Sequence, residues 1–287
     1  MSDVTAIILT MNESKNIGDC IKSIQNFVSR IVVIDSGSSD NTVEIAKSLG
    51  ADVYFHEFEN YAKQFNWGLD NTNIATKWAL RLDADERFTH ELSEEAKQAI
   101  AEHNDDDVNG FVLRLRVFFL GRWMRHGSVY PFRKLMLFKF GIGRIEQRNM
   151  DEQTTLSCGK SIELNNDALH FDFKNLNYWI NKHNWYATRE MQDYLEMKIN
   201  KNIQQISDEH IKNRRRQKLI YYKFPIFIRP LFYFIYIYFI KLGFLDGKEG
   251  LIYHFLRIFW YRFLVDAKIY EHEKIGGEIE RTGALRS

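Results

Sequence analysis

Three carboxylates stand almost together in Asp83-Ala84-Asp85-Glu86, directly after the apolar run Lys77-Trp78-Ala79-Leu80-Arg81-Leu82. A buried strand ending in alternate acids delivers them to the ligand edge of a sheet, where they can converge on one hard cation. Carboxylate oxygens suit Mg2+ or Mn2+, ions that complete their coordination with water and substrate phosphates. An isolated Asp-x-Asp is also ordinary in a solvated turn, so the context decides. Ile34-Asp35-Ser36-Gly37-Ser38-Ser39-Asp40-Asn41-Thr42 supplies that context. Its small residues let backbone approach a ligand, and Asp35 stands where a carboxylate accepts from ribose hydroxyls or a base N–H. An Asx turn with a helix cap accounts equally well for Asp40 and Asn41. Thr10-Met11-Asn12-Glu13 closes a third apolar run at the same edge. His170 can ligate an ion or bond a diphosphate, or be a core residue satisfied in apolar surroundings. Gln64, Asn66 and Trp67 either shape a pocket or cap a helix.

These groups need a scaffold that brings strand ends together. Val4 to Leu9 and Ile31 to Ile34 are β-branched runs without polar alternation, as in parallel strands buried on both faces. Between them Ile17, Ile21, Ile24, Phe27 and Val28 fall on one helical stripe over 14–27, with Ser14 as its expected N-cap. Asp40 or Asn41 then starts a second helix, Gly50 suits its C-terminus, and Asp52 to Phe55 restarts a strand. Alternation of this kind specifies an α/β layer fold. From Phe111 to Phe119 a period of two predicts a half-exposed antiparallel strand, hence a mixed sheet, and 175–220 reads as helix. The expected division is a nucleotide-binding and catalytic domain over 1–172 and a helical region over 173–287.

The chain has 287 residues, with 39 Lys and Arg against 38 Asp and Glu, so its overall charge gives no reason to expect a nucleic-acid binder. The distribution is uneven: residues 1–110 hold 9 basic and 20 acidic side chains, leaving 30 and 18 for the rest. Two cysteines, Cys20 and Cys158, suit a reducing compartment and exclude a disulfide framework. The first apolar run lacks a basic leader and is too short for a signal-peptide core, which predicts a first strand and a cytoplasmic location. Residues 221–261 carry sixteen aromatic side chains, and 212–262 hold eleven Lys or Arg against Asp246 and Glu249 alone. Leu231 to Ile240 is only ten residues of unbroken apolar character, short of the roughly 20 needed to span a bilayer. The composition fits a helix lying in a membrane interface, or a helical pair packed on the catalytic domain with its basic stems snorkelling.

In order and spacing, Ile8-Leu9-Thr10-Met11-Asn12-Glu13, Val33-Ile34-Asp35-Ser36-Gly37-Ser38-Ser39-Asp40-Asn41-Thr42 and Leu82-Asp83-Ala84-Asp85-Glu86 resemble the three signatures of family 2 glycosyltransferases with a GT-A fold. Tyr61 to Leu69, Lys182-His183-Asn184-Trp185-Tyr186 and Gly243 to Gly250 resemble the lipopolysaccharide core β-1,4-glucosyltransferase subgroup. The resemblance implies transfer of a sugar, with inversion, from a nucleotide-sugar donor, usually UDP-linked, to an acceptor hydroxyl on lipopolysaccharide core, capsule or another lipid-linked glycan. It implies Mg2+ or Mn2+ held by Asp83, Asp85 and His170. Thr10, Asn12, Glu13, Asp35, Gln64, Asn66, Arg81, Asp83 and Ala84 are implied at the donor. The family places an acidic base after the sheet region; here the segment reads Met150-Asp151-Glu152-Gln153 and departs from the usual pairs, so that alignment favours Glu152 and a swapped dyad leaves Asp151. The implied location is peripheral, on the inner face of the cytoplasmic membrane.

Two other readings compete. A nucleotidyltransferase also uses acidic metal sites on an α/β fold, but no Gly-rich, basic triphosphate loop follows the first strand. A non-catalytic membrane or nucleic-acid binder would use residues 212–262 and leaves the acidic strand ends unexplained.

Overall fold

The computed structural model describes residues 2–147, 152–171, 174–199 and 209–275. Its first half is the expected alternation: β1 (Ser2–Thr10), α1 (Ile17–Ile24), β2 (Val28–Asp35), α2 (Thr42–Ser48), β3 (Asp52–Phe55), α3 (Tyr61–Asn71) and β4 (Trp78–Asp83). β1 pairs in parallel with β2 and β4, and β2 with β3. The register sets Thr10 opposite Asp35 and Leu9 opposite Asp83, so three polar strand ends meet at one edge. Val4, Ala6 and Ile8 point to the face covered by Ile17, Ile21 and Ile24 of α1, whereas Ile7, Val32 and Ile34 point to Phe65 and Leu69 of α3. Gly68 lets α3 approach closely: a Cβ there would lie 3.1 Å from Ile34 and 3.3 Å from Ile7.

The first helix begins two residues later than expected. Asn16, not Ser14, occupies its N-cap position. Residues before it are drawn away from helix because the Ser14 N–H donates to Asp40 at 3.2 Å and the Glu13 N–H to Thr42 at 2.8 Å.

The chain continues through β5 (Glu86–Phe88), α4 (His90–Glu102), β6 (Val108–Phe119), β7 (Arg122–Trp123), β8 (Phe132–Lys139), β9 (Gly143–Ile145), β10 (Thr154–Leu156) and β11 (Lys160–His170). The main sheet runs β3-β2-β1-β4-β8-β6-β11-β5, and β9 and β10 form a separate two-stranded ribbon. The sheet is mixed, as expected, and β6 shows why: it is antiparallel to β8 on one side and parallel to β11 on the other.

Two compact units emerge: residues 2–118, 131–147 and 152–171, and residues 119–130, 174–199 and 209–275. The second contains α5 (Leu176–Ile199), α6 (Glu209–Tyr222), α7 (Ile228–Ile235) continued by a π-helical stretch over Tyr236–Ile240, a 3-10 turn over Gly243–Asp246, α8 (Gly247–His254) and, past a second π-helical stretch over Phe255–Trp260, α9 (Tyr261–Ile275). Ala187 and Met191 of α5 pack with Val265 and Ile269 of α9. Arg229 is buried against Asp266, its Nε 2.9 Å from the carboxylate, under the rings of Tyr221 and Tyr222.

Candidate active site

Asp83 closes β4, and the turn Ala84–Asp85 reverses the chain into β5. The Asp83 N–H donates to Glu86 Oε2 at 2.9 Å, which fixes the turn. From β8 the Lys134 ammonium reaches between the acids, donating to Asp83 Oδ2 at 2.8 Å and Glu86 Oε1 at 2.7 Å. Tyr61 donates its hydroxyl to the other oxygen of Asp83. Arg81 lies over the Tyr61 ring, donates from Nε to the Tyr61 hydroxyl at 3.0 Å and from Nη1 to Thr154 Oγ1 at 3.2 Å. Sequence reasoning missed Lys134, Tyr61, Thr154 and the burial of Glu86; the one available signal was a lysine at the head of the apolar run Leu135-Met136-Leu137-Phe138.

The electrostatics follow from this packing. Burial pushes the Asp83 carboxyl up, but Lys134 and Arg81 outweigh it and hold the group below the ordinary carboxylate range. Burial raises Glu86 above its ordinary value, and there Lys134 only partly compensates. Burial lowers Lys134, whereas Asp83 and Glu86 more than restore its charge. Ala84 is buried inside the turn.

Asp85 adds its charge to that of Asp83 and Glu86. Its Oδ2 faces His170 Nε2 at 3.6 Å, and both side chains are partly open, 14% and 18% exposed. The sheet makes this pair: β11 runs antiparallel to β5 with His170 opposite Glu86, and the Phe171 N–H donates to the Asp85 carbonyl at 2.8 Å. Among the described residues no three His, Cys, Asp or Glu side chains gather as a closed metal cage. The pair nevertheless fits one hard divalent ion: two ligands each about 2.1 Å from an ion stand roughly 3 to 3.6 Å apart, and Mg2+-type sites take few protein ligands. Asp83 does not join them. Both its oxygens already carry Tyr61 and Lys134.

The two loops beside this centre are zipped together. Asp35 is buried and accepts from Thr10 Oγ1 at 3.0 Å, from the N–H groups of Gly37 and Ser38 at 2.9 and 2.8 Å, and from the Ser38 hydroxyl. Asn12 takes the left-handed conformation, φ 55°, and its Oδ1 accepts the Ser39 N–H at 2.8 Å. Glu13 accepts from Asn16 Nδ2 at 2.8 Å. Gln64 joins the same edge, donating to Ser36 Oγ at 2.9 Å with His56 Nδ1 2.6 Å from its oxygen. Asn66 does not. Its amide donates to the Ile145 carbonyl at 2.8 Å and accepts the Ile145 N–H at 3.1 Å, so it pins the β9–β10 ribbon to α3.

Of the two candidate bases, Asp151 lies outside the described residues. Glu152 is half-buried and precedes β10. Its segment is tied to the site through Thr154, two residues on, which accepts from Arg81.

The sequence profile of the family described as Glycosyl transferase family 2 matches residues 5–160. The chain is similar to an uncharacterized glycosyltransferase of Rickettsia typhi, 25% identical over 280 residues that cover 94% of this chain and 88% of that one. It is also similar to the lipopolysaccharide core biosynthesis glycosyltransferase LpsC of Rhizobium meliloti, 26% identical over 285 residues, 95% and 93% of the two chains. Among solved structures, glucosyl-3-phosphoglycerate synthase of Mycobacterium tuberculosis, in complex with Mn2+, UDP and glucosyl-3-phosphoglycerate, is 18% identical with a TM-score of 0.33, over 40% of this chain and 44% of that one.

Proposed function

The chain belongs to family 2 of the glycosyltransferases, and from that membership we propose that it transfers a sugar, with inversion, from a UDP-linked donor to a hydroxyl of a lipopolysaccharide-core-type acceptor at the cytoplasmic face of a membrane. The observation that carries the reading is the Asp85–His170 pair, one from the turn after β4 and one from the end of β11, 3.6 Å apart and both partly exposed. The kinship with LpsC, named for lipopolysaccharide core biosynthesis, supports the acceptor class.

In this proposal Asp85 and His170 hold Mg2+ or Mn2+. The chemistry the ion supplies when bound is neutralisation of the diphosphate leaving group. Asp83 and Glu86 keep the Lys134 ammonium beside that position, where three carboxylates against two cations leave a net negative charge that favours a divalent ion. Thr10, Asn12, Glu13, Asp35 and Gln64 act chiefly through the loops they shape: Asp35 is saturated by Thr10, Gly37 and Ser38, and Gln64 and Asn12 tie the same loop at Ser36 and Ser39, so these side chains set the form of the donor edge. Arg81 is a positioning residue, joining Tyr61 and Asp83 to the segment that bears the base. Glu152 takes the proton of the acceptor hydroxyl as that oxygen bonds the anomeric carbon. The bond from that carbon to the diphosphate breaks, and its electron pair leaves with UDP.

The test is UDP release from a panel of UDP-sugars by the full chain with Mn2+ and a lipopolysaccharide core acceptor. Asp85→Ala should lower turnover by about 100-fold or more, and Glu152→Gln by on the order of 10²–10⁴ with UDP binding retained. Full activity in Asp85→Ala would overturn the metal assignment. Full activity in Glu152→Gln with loss in Asp151→Asn would move the base by one residue.

A further inference from the structure

The helical unit carries an amphipathic face turned outward. Along Ile228–Ile240 the positions 228, 231, 232, 235, 236, 239 and 240 follow one helical face, and every one is exposed and apolar or aromatic. Phe232 is 65% and Ile240 67% exposed. Arg229, the one charged residue of that stretch, is instead 3% exposed and paired with Asp266. A helix that hides its charge and shows its aromatics is matched to an apolar surrounding, not to water.

A second arm extends the surface. Ile252, Phe255, Phe259 and Phe263 recur along one side, and the Phe234 ring lies 6.2 Å from both Phe255 and Phe259. Between the arms Leu242 is held at φ 61° with its side chain exposed, beside exposed Phe244 and Leu245. Among the described residues no single helix is long and apolar enough to cross a membrane, and the two arms, Ile228–Ile240 and Gly243–Ile275, meet at 71°. The first arm, at 1.5 Å per residue, is about 20 Å long against a hydrocarbon core of roughly 30 Å. The surface therefore suits insertion into one leaflet.

The charges around it select the lipid. Lys223 and Lys241 flank the first arm and Lys248 lies on the second, and the two acids between residues 223 and 262 are engaged, Asp246 with His126 and Glu249 with Arg122. A second copy of the chain would bring the same excess of positive charge onto itself. We infer that this bent helical pair is a monotopic wedge that seats the protein in the headgroup–acyl boundary of an anionic phospholipid bilayer. The inference rests on the helical unit alone and is independent of the transferase reading.

Flotation of the full chain with phosphatidylcholine vesicles, with and without phosphatidylglycerol, tests it. The protein should float with anionic vesicles. A Phe232→Ser, Phe239→Ser variant, altered only at exposed positions, should partition at least about tenfold less at an unchanged melting temperature. Lys223→Gln with Lys241→Gln should lose the salt-sensitive part of the binding. Flotation unaffected by the phenylalanine changes would overturn the inference, as would a protein that ignores both vesicles. So would a vesicle-independent dimer that those changes dissociate, since a second copy would then be the occupant.

Discussion

Lys134 shares its ammonium between a carboxylate that stays ionised below its ordinary range and a fully buried one pushed above it. Removing one partner of such a cluster leaves buried charge uncompensated, which costs about 3–5 kcal/mol. Lys134→Met should therefore lower the melting temperature by roughly 10 °C, and adding Glu86→Leu should restore part of it; Lys134→Met melting with the wild type would contradict this account of the cluster. The same residue marks the limit of sequence reading. Asp83, Asp85 and His170 stand out in the sequence because strand-end acids and a late imidazole carry their chemistry in their type, but nothing in the sequence tells that Tyr61 and Lys134 occupy the oxygens of Asp83. A strand lysine reads as solvated until the register of β8 along β4 and β6 is known. Asn66 errs in the opposite direction: its polarity suggests a ligand, and the fold spends it on the Ile145 backbone.

Elements were legible where apolar periodicity fixes them and less so where side chains compete for backbone. β1 and β2 follow their β-branched runs and β4 an apolar one, but the start of α1 depends on Asp40 and Thr42, 26 and 29 residues away, which take the N–H groups of Ser14 and Glu13. In the helical unit the segment 241–254 is anchored to 126–127: the His126 N–H donates to Asp246 at 2.9 Å and the Gly127 N–H to the Lys241 carbonyl at 2.9 Å. His254 is enclosed there, with a Cβ at Gly127 falling 2.2 Å from its ring, and neither ring nitrogen finds a hydrogen-bond partner among the described residues. Burial lowers its pKa from 6.5 to about 4, against the opposing pull of Asp246. The folded chain thus takes up this proton less readily than the unfolded one. The contribution is complete above pH 6.5 and is lost as pH falls through about 4, amounting to up to about 3 kcal/mol. Urea unfolding from pH 7 to pH 4 should show a shallower decline for His254→Phe than for wild type; parallel declines would contradict the assignment.

Over the whole molecule, charge and apolar surface divide the labour. The acidic first 110 residues build a sheet edge that needs cations, while the basic, aromatic stretch 212–262 contributes outward-facing apolar arms. The asymmetry was visible in the sequence, but not the direction in which the arms face, because periodicity gives a stripe and only packing gives its side. Arg229 settles it by turning inward to Asp266. The acidic end of the charge distribution holds the proposed UDP-sugar site, which a divalent ion on Asp85 and His170 would complete. The most direct test of that site is thermal unfolding of the full chain with UDP, with and without Mn2+. A ligand selective for the folded state raises stability by about 2.7 kcal/mol at 100 times its dissociation constant. The expected result is a rise in melting temperature that requires both UDP and Mn2+ in wild type and is absent in Asp85→Ala. An equal rise in Asp85→Ala, or none in wild type at millimolar nucleotide, would contradict it.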